Sequence, residues 1–244
     1  MNNTFKELYE VIWKQVFAEV GVIEAEKTKV LWTKDIILPT ENKCEVSGEP
    51  VWLSPEYGYK RFMTETESMK RTNEDNFMEP KSEMKNLSDV IEKVKKVAMF
   101  KGSRMVNSSV VEESDDVYSS NIVYNSAHIY SSQKIIWGHN LVQSEYLMAS
   151  KGSKNCTFSI RCFDSVNVSN SFDVSFCANT SNSMFCHDCF DVRDCLFCFH
   201  LASKRFCIAN VQYEETEYNE LKKKIVDEYF GQLETGKFSG LMSL

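Results

Sequence analysis

From Ser114 to Leu201 every third residue is small or aliphatic, thirty positions in a row drawn only from Ser, Thr, Gly, Cys, Val, Ile and Leu. The run opens Ser114, Val117, Ser120, Val123, Ser126, Ile129 and closes Cys186, Cys189, Val192, Cys195, Cys198, Leu201. Charged and aromatic side chains keep to the other two phases. A helix would repeat every 3.6 residues and a strand every 2, so neither produces this pattern. A stacked repeat does. The first third spells an evident hexad, Asp116-Val117-Tyr118-Ser119-Ser120, Ile122-Val123-Tyr124-Asn125-Ser126, His128-Ile129-Tyr130-Ser131-Ser132. In each hexad one inward site is aliphatic and the next is Ser, which predicts a short strand followed by a corner.

Three such faces would make a triangular coil of 18 residues, and Phe172-Asp173-Val174 recurs as Phe190-Asp191-Val192 at that interval. Stacking on this spacing sets Cys177 over Cys195, Cys189 over Cys207, Val174 over Val192, Phe158 under Phe176 and Phe172 under Phe190, at roughly 4.8 Å. The expectation is a mainly β protein, a triangular, hexad-built β-solenoid over residues 104–213, in which the 88-residue period-three stretch holds just under five coils. Residues 1–103 would form an α/β N-terminal region, and residues 214–244 a capping helix and tail that protect the open end.

The flanks carry their own periodicities. Residues 4–20 predict an amphipathic helix with Thr4 and Glu7 as a capping box, Gly21 as terminator, and Phe5, Leu8, Ile12 and Val16 inward. Over residues 28–55, Val30-Leu31-Trp32, Ile36-Ile37-Leu38 and Val51-Trp52-Leu53 predict short strands, punctuated by Pro39, Gly48 and Pro50. Residues 63–85 read as a polar linker, and residues 88–101 as a helix capped by Ser88 with Val90, Ile91, Val94 and Val97 inward. In the tail, Tyr218, Leu221, Ile225 and Tyr229 share a helix face. No apolar run is long enough to span a bilayer, and the polar N-terminus has no secretory core, so a cytoplasmic or virion setting is expected.

Composition adds little beyond this frame. Of 244 residues 43% are hydrophobic and 26% charged, with a net charge of −7. The charge is spread thinly and forms no basic stripe, which argues against nucleic-acid binding. Nine cysteines, an odd number, argue against a fully paired secreted framework. Eight of them fall on the inward phase between Cys156 and Cys207, where cysteine serves as a small buriable hydrophobe.

Candidate chemistry is sparse. Cys186, Cys189, Cys195 and Cys198 form two CxxC pairs, a zinc-type spacing, although all four continue the inward phase. His128, His139, His187 and His200 could each supply the base of a hexapeptide-type acyltransferase, but the hexad here places its small residue differently. Asp164, Asp173, Asp188, Asp191 and Asp194 are outward carboxylates of the kind a polysaccharide hydrolase pairs in a cleft, and also the kind that turns favour. The outward aromatics Tyr118, Tyr124, Tyr130, Phe158, Phe172, Phe176 and Phe190 mark a surface expected to be covered, by the chain's own flanks or by a protein partner or second copy.

The last third resembles a group of Cys- and Asn-rich solenoid proteins of candidate-phylum bacteria and bacteriophages. The resemblance rests on Phe190-Asp191-Val192-Arg193-Asp194-Cys195 and on Leu201-Ala202-Ser203-Lys204-Arg205-Phe206-Cys207-Ile208-Ala209-Asn210-Val211-Gln212-Tyr213, followed by an acidic helix. It implies a solenoid fold and a viral setting, and no activity. Members carry a cysteine-containing segment ahead of the repeat. Here Cys44 stands alone before Gly48-Glu49-Pro50, so a metal knuckle is not expected. Together these readings point to a non-enzymatic binding or assembly protein without cofactors, with a phage virion structural or attachment part as the expected setting. The alternatives are a solenoid hydrolase or acyltransferase, or a zinc module.

Overall fold

The computed structural model describes every residue except 19, 55–57, 59, 75, 140–144, 153, 234–239 and 242–244. The inward positions Leu141, Ser144 and Ser153 therefore lie outside the described residues. The chain is a β-solenoid of about eight turns, built as one 15-stranded sheet, with five helices among the described residues.

The coil has 12 residues, not 18. Asp115, Val117 and Tyr118 pair with Ala127, Ile129 and Tyr130, and the same step carries through to Arg193, Cys195 and Leu196 on Arg205, Cys207 and Ile208. The reason is in the backbone. Nearly every third described residue from Ser103 to Ala209 has φ near +50°, for example Asn125, His128, Asn167, Asn170, Asp173, Phe176 and Asn179. Left-handed conformation costs a residue with a Cβ roughly 1–2 kcal/mol, and Asn, Asp and His, which bear it best, hold nearly half of these sites. Each three-residue segment thus makes its own corner, and four of them close a coil. The triangular coil is corrected to a four-cornered one. Of the expected stacks, Cys177 lies under Cys189 instead of Cys195, Cys195 under Cys207, and Val174 pairs with Cys186 instead of Val192.

Inside, the small residues work as backbone partners. Ser126 Oγ donates to the carbonyl of Tyr124 at 2.8 Å and accepts the amide of Gly138, one coil on, at 2.9 Å. Ser183 does the same for Ser181 and Cys195, at 2.8 and 3.1 Å. A corner every three residues leaves carbonyls and amides that the sheet ladder does not use, and buried groups of that kind need partners. Cysteine replaces serine late in the rod and donates likewise, as Cys177 does to Ser175 at 3.2 Å. The aliphatic sites Val117, Val123, Ile129, Ile135 and Leu147 complete this interior.

Outside, one column repeats every 12 residues and is apolar throughout: Tyr124, Ile136, Met148, Ile160, Phe172, Met184, Leu196 and Ile208. Helix α1 (Asn3–Phe17) and the C-terminal helix cover it. Phe5 packs on Tyr124, while Phe17 and Trp32 pack on Phe172. Each such buried side chain contributes about 1.5–3 kcal/mol. Helix α1 is capped by Asn2, not Thr4, and ends at Ala18, before Gly21. Val30-Leu31-Trp32 belong to helix α2 (Ala25–Trp32) and not to a strand, because Trp32 must turn onto this core.

Strands β1 (Thr40–Lys43) and β2 (Pro50–Leu53) form a hairpin, as Val51-Trp52-Leu53 suggests. The stretch expected as a polar linker contains helix α3 (Glu65–Asn73), capped by Thr64 and preceded by β3 (Phe62–Thr64). Strand β4 (Phe100–Gly102) pairs with β3 and leads into the rod. Between them helix α4 (Leu87–Lys95) has a capping box of Asn86 with Asp89, and its Val90, Ile91 and Val94 face solvent instead of a core.

At the far end the two-residue strand Val211–Gln212 turns back antiparallel on the last coil and occupies its edge. Helix α5 (Glu215–Leu233) then runs back along the side of the rod, with Tyr218 on Phe206 and Tyr229 on Phe172 and Phe185. It covers a face more than it caps an end.

Candidate functional site

A 12-residue coil regroups the outward aromatics. Tyr118 and Tyr130 stack in parallel, ring centres 5.3 Å apart, while Tyr124 lies on another face and is buried under Phe5. Phe172 is buried under α1 and α5, whereas Phe190, one and a half coils later, is 55% exposed on the opposite side. Phe158 is half-buried. Phe176 is 54% exposed and is the expected surface aromatic that opens onto a cleft.

That cleft, about 400 Å³, lies beside the covered face. Its rings climb one ridge of the rod, with Phe163 and Phe176 5.6 Å apart, Phe176 and His187 5.6 Å, and His187 and Phe199 5.9 Å. Ser175 Oγ and His187 Nδ1 are 2.8 Å apart. At one side Arg161, 8% exposed, reaches Asp173 at 3.0 Å, Asp35 at 3.1 Å and the Trp32 carbonyl at 2.6 Å. Burial pushes the Asp173 carboxyl up against the downward pull of Arg161. The backbone amide of Leu241 also donates to Asp173. This network ties α2 and the C-terminal segment to the rod. Phe163 and Phe199 belong to the ridge, and no local sequence pattern marks them. Only the 12-residue column brings them together with Phe176 and His187.

The same ridge begins at Asp115 and Asp116, where the N-terminal region docks. Ser54 Oγ lies 2.7 Å from His128 Nε2, and His128 Nδ1 lies 2.6 Å from Asp116. Tyr130 donates to Asp116 at 3.0 Å, and Arg104 reaches Asp115 and Asp116 at 3.1 and 3.2 Å. Atom for atom this is the order of a Ser–His–Asp relay. Yet Ser54 is 1% exposed, and its amide is spent on Asp115 at 3.0 Å. The arrangement works as a clasp that holds the strand Pro50–Leu53 to the first coils.

The remaining candidates are dispersed. Asp188 pairs with His200 at 2.8 Å, Asp191 with Ser203 at 3.2 Å, and Asp194 with Arg193 at 3.7 Å. The side chain of His139 lies outside the described residues. Cys186, Cys189, Cys195 and Cys198 are interior, within 2% of full burial. Their thiols donate to backbone carbonyls two residues back, at 3.3–3.5 Å. Among the described residues no group of three or more His, Cys, Asp or Glu is placed to hold a metal ion, and no helix is long and apolar enough to cross a membrane. Comparison with family models, with curated proteins and with solved structures finds no match to this chain.

Proposed function

We propose that the protein is a non-enzymatic β-solenoid scaffold that binds a protein partner along its open ridge. One observation carries this reading. The apolar column on one face is covered by the chain's own helices, while the adjoining ridge keeps Phe176 half exposed beside an open cleft. A rod whose interior is closed by backbone-bonded serines and cysteines offers shape and outward side chains, which suits a component of a larger assembly such as a virion.

The test places a photo-activatable phenylalanine analogue at Phe176, and in a control at Val166, which is 40% exposed on a different face. Irradiation in extract of the source cells should give one discrete adduct from the Phe176 position. Unmodified protein should compete it away, and the Val166 position should not give it. Adducts of equal intensity from both positions, or none, would remove the reading. A serine-hydrolase reading has the Ser54–His128–Asp116 geometry in its favour, and covalent labelling of Ser54 by a fluorophosphonate is the result that would establish it.

A further inference from the structure

The ridge has a particular charge. Of the four acidic residues between Lys154 and Arg193, Asp164 and Asp188 stand on the ridge, Asp173 is buried against Arg161 and Asp191 lies on another face, while Lys151 precedes Phe163 by one coil in the same column. Arg161 is buried and engaged by Asp173 and Asp35. The strand register sets Phe163, Ser175, His187 and Phe199 in one column. The residues that follow them, Asp164, Phe176, Asp188 and His200, therefore form the next column. Phe176 stands with one carboxylate in the coil below and one in the coil above, at the coil rise of roughly 4.8 Å. The Asp188 side chain is 63% exposed, and its Oδ2 lies 2.8 Å from His200 Nδ1 in the coil above.

A half-exposed ring flanked by two carboxylates favours a cation. The face of a benzene ring carries negative potential, the neighbouring carboxylates add to it, and Lys151, the lysine of the same ridge, stands two coils below Phe176. The ridge also contains an internal precedent. At its first coil the column begins with Asp115 and Asp116, joined to Phe163 through continuous register, and there the chain's own Arg104 guanidinium sits on both carboxylates. Arginine fits better than lysine because its planar guanidinium lies flat on a ring while its N–H groups meet a carboxylate.

We propose that the Phe176 ridge, flanked by Asp164 and Asp188, is the seat for an arginine side chain of the protein partner. This rests on the scaffold reading above and adds the chemistry of what is bound.

The test is an NMR titration of the full chain at low salt with N-acetyl-Gly-Arg-Gly-amide and with its citrulline counterpart, which has the same shape without the charge. The arginine peptide should move the ring signals of Phe176, His187 and His200 and bind about fivefold tighter than the citrulline peptide. Phe176→Ala should abolish that preference. Phe190→Ala, which removes an equally exposed ring on another face, should leave it intact. Asp188→Asn should reduce it. Equal affinity for the two peptides, or shifts spread over the acidic surface and unaffected by Phe176→Ala, would overturn the proposal. So would tighter saturation of the same rings by a neutral oligosaccharide such as maltohexaose, which would assign the ridge to polyols. A competed cross-link at Phe176 without arginine selectivity would leave the scaffold reading standing and remove this one alone.

Discussion

The serine ladder makes a sharp prediction because each inward Ser serves two backbone groups at once. In Ser183→Ala the carbonyl of Ser181 loses a donor at 2.8 Å and the amide of Cys195 loses an acceptor at 3.1 Å, in a site with no solvent exposure. Each buried group left short of a partner costs about 1–3 kcal/mol. The lost oxygen leaves too small a space to add much. The two groups together should cost about 2–4 kcal/mol, a large share of the roughly 5–15 kcal/mol that holds a typical domain. Ser183→Cys should cost less, since thiols elsewhere in the rod still donate to the carbonyl two residues back. Urea unfolding followed by far-UV circular dichroism measures the difference, with hydrogen exchange at the Cys195 amide reporting locally. Exchange matters because a solenoid can open coil by coil. If Ser183→Ala unfolds within about 0.5 kcal/mol of the parent, which is the range of a neutral surface change, and the Cys195 amide exchanges no faster, then the serines are fillers and the account of the interior is wrong.

Other outcomes follow from the same structure. Phe172→Ala should cost about 3–5 kcal/mol, because Phe172 is fully buried among Phe17, Trp32, Phe185 and Tyr229; calorimetry would show α1 and α5 loosening with it. Tyr218→Phe should be neutral or stabilising near neutral pH, since the buried Tyr218 hydroxyl has no hydrogen-bond partner among the described residues. Burial raises the phenols of Tyr9, Tyr124, Tyr218 and Tyr229 above their ordinary value. The unfolded chain therefore releases these protons first, so the stability they contribute is whole below about pH 10 and falls above it. The loss should reach about 1.4 kcal/mol per pH unit for each phenol, and Tyr218→Phe should make the measured slope shallower. All nine cysteines are buried, so a disulfide-exchange reagent should react with none quickly in the native protein and with all nine after unfolding. A fluorophosphonate probe should leave Ser54 unlabelled, because the hydroxyl is 1% exposed and engaged by His128.

The rod was legible in the sequence because its interior obeys a strict rule, one small or aliphatic residue in every three, and Ser183 or Cys186 can be assigned inward on that rule alone. The coil length was not. The Ser–aliphatic alternation has a six-residue period, which divides 12 and 18 equally, so the hexad could not choose between them. The recurrence of Phe172-Asp173-Val174 as Phe190-Asp191-Val192 favoured the longer coil. It joins two opposite sides of the rod, and the burial of Phe172 against the 55% exposure of Phe190 exposes the mismatch. Two signals did carry the answer. Asn167, Asn170, Asp173, Asn179, Asn182 and Asp188 share the phase just before the inward residue, as expected where a left-handed corner falls every three residues. The apolar series Tyr124, Ile136, Met148, Ile160, Phe172, Met184, Leu196, Ile208 runs unbroken only at a spacing of 12.

That spacing also decides what the outward residues can do together. On an 18-residue coil Phe176 would stack with Phe158 as one of several aromatic pairs, and Asp164 and Asp188 would lie on different faces. On a 12-residue coil the three fall in one column, Phe176 between Asp164 and Asp188. The Ser54 clasp depends on the same geometry, since His128 stands over Asp116 only at that interval and Ser54 arrives from a strand more than seventy residues away in sequence. No local pattern around Ser54-Pro55 could announce that contact, because it exists only where the hairpin meets the first coils. The interior phase therefore carries the architecture, and the column order on the outside sorts one set of side chains into a covered face, a clasp and an open ridge. Substitutions that move Phe176 off its column by altering coil length, such as deletion of one three-residue segment between Ser165 and Ser175, should abolish the cross-link at Phe176. They should do so even when circular dichroism shows the rod still folded, whereas Phe190→Ala should not.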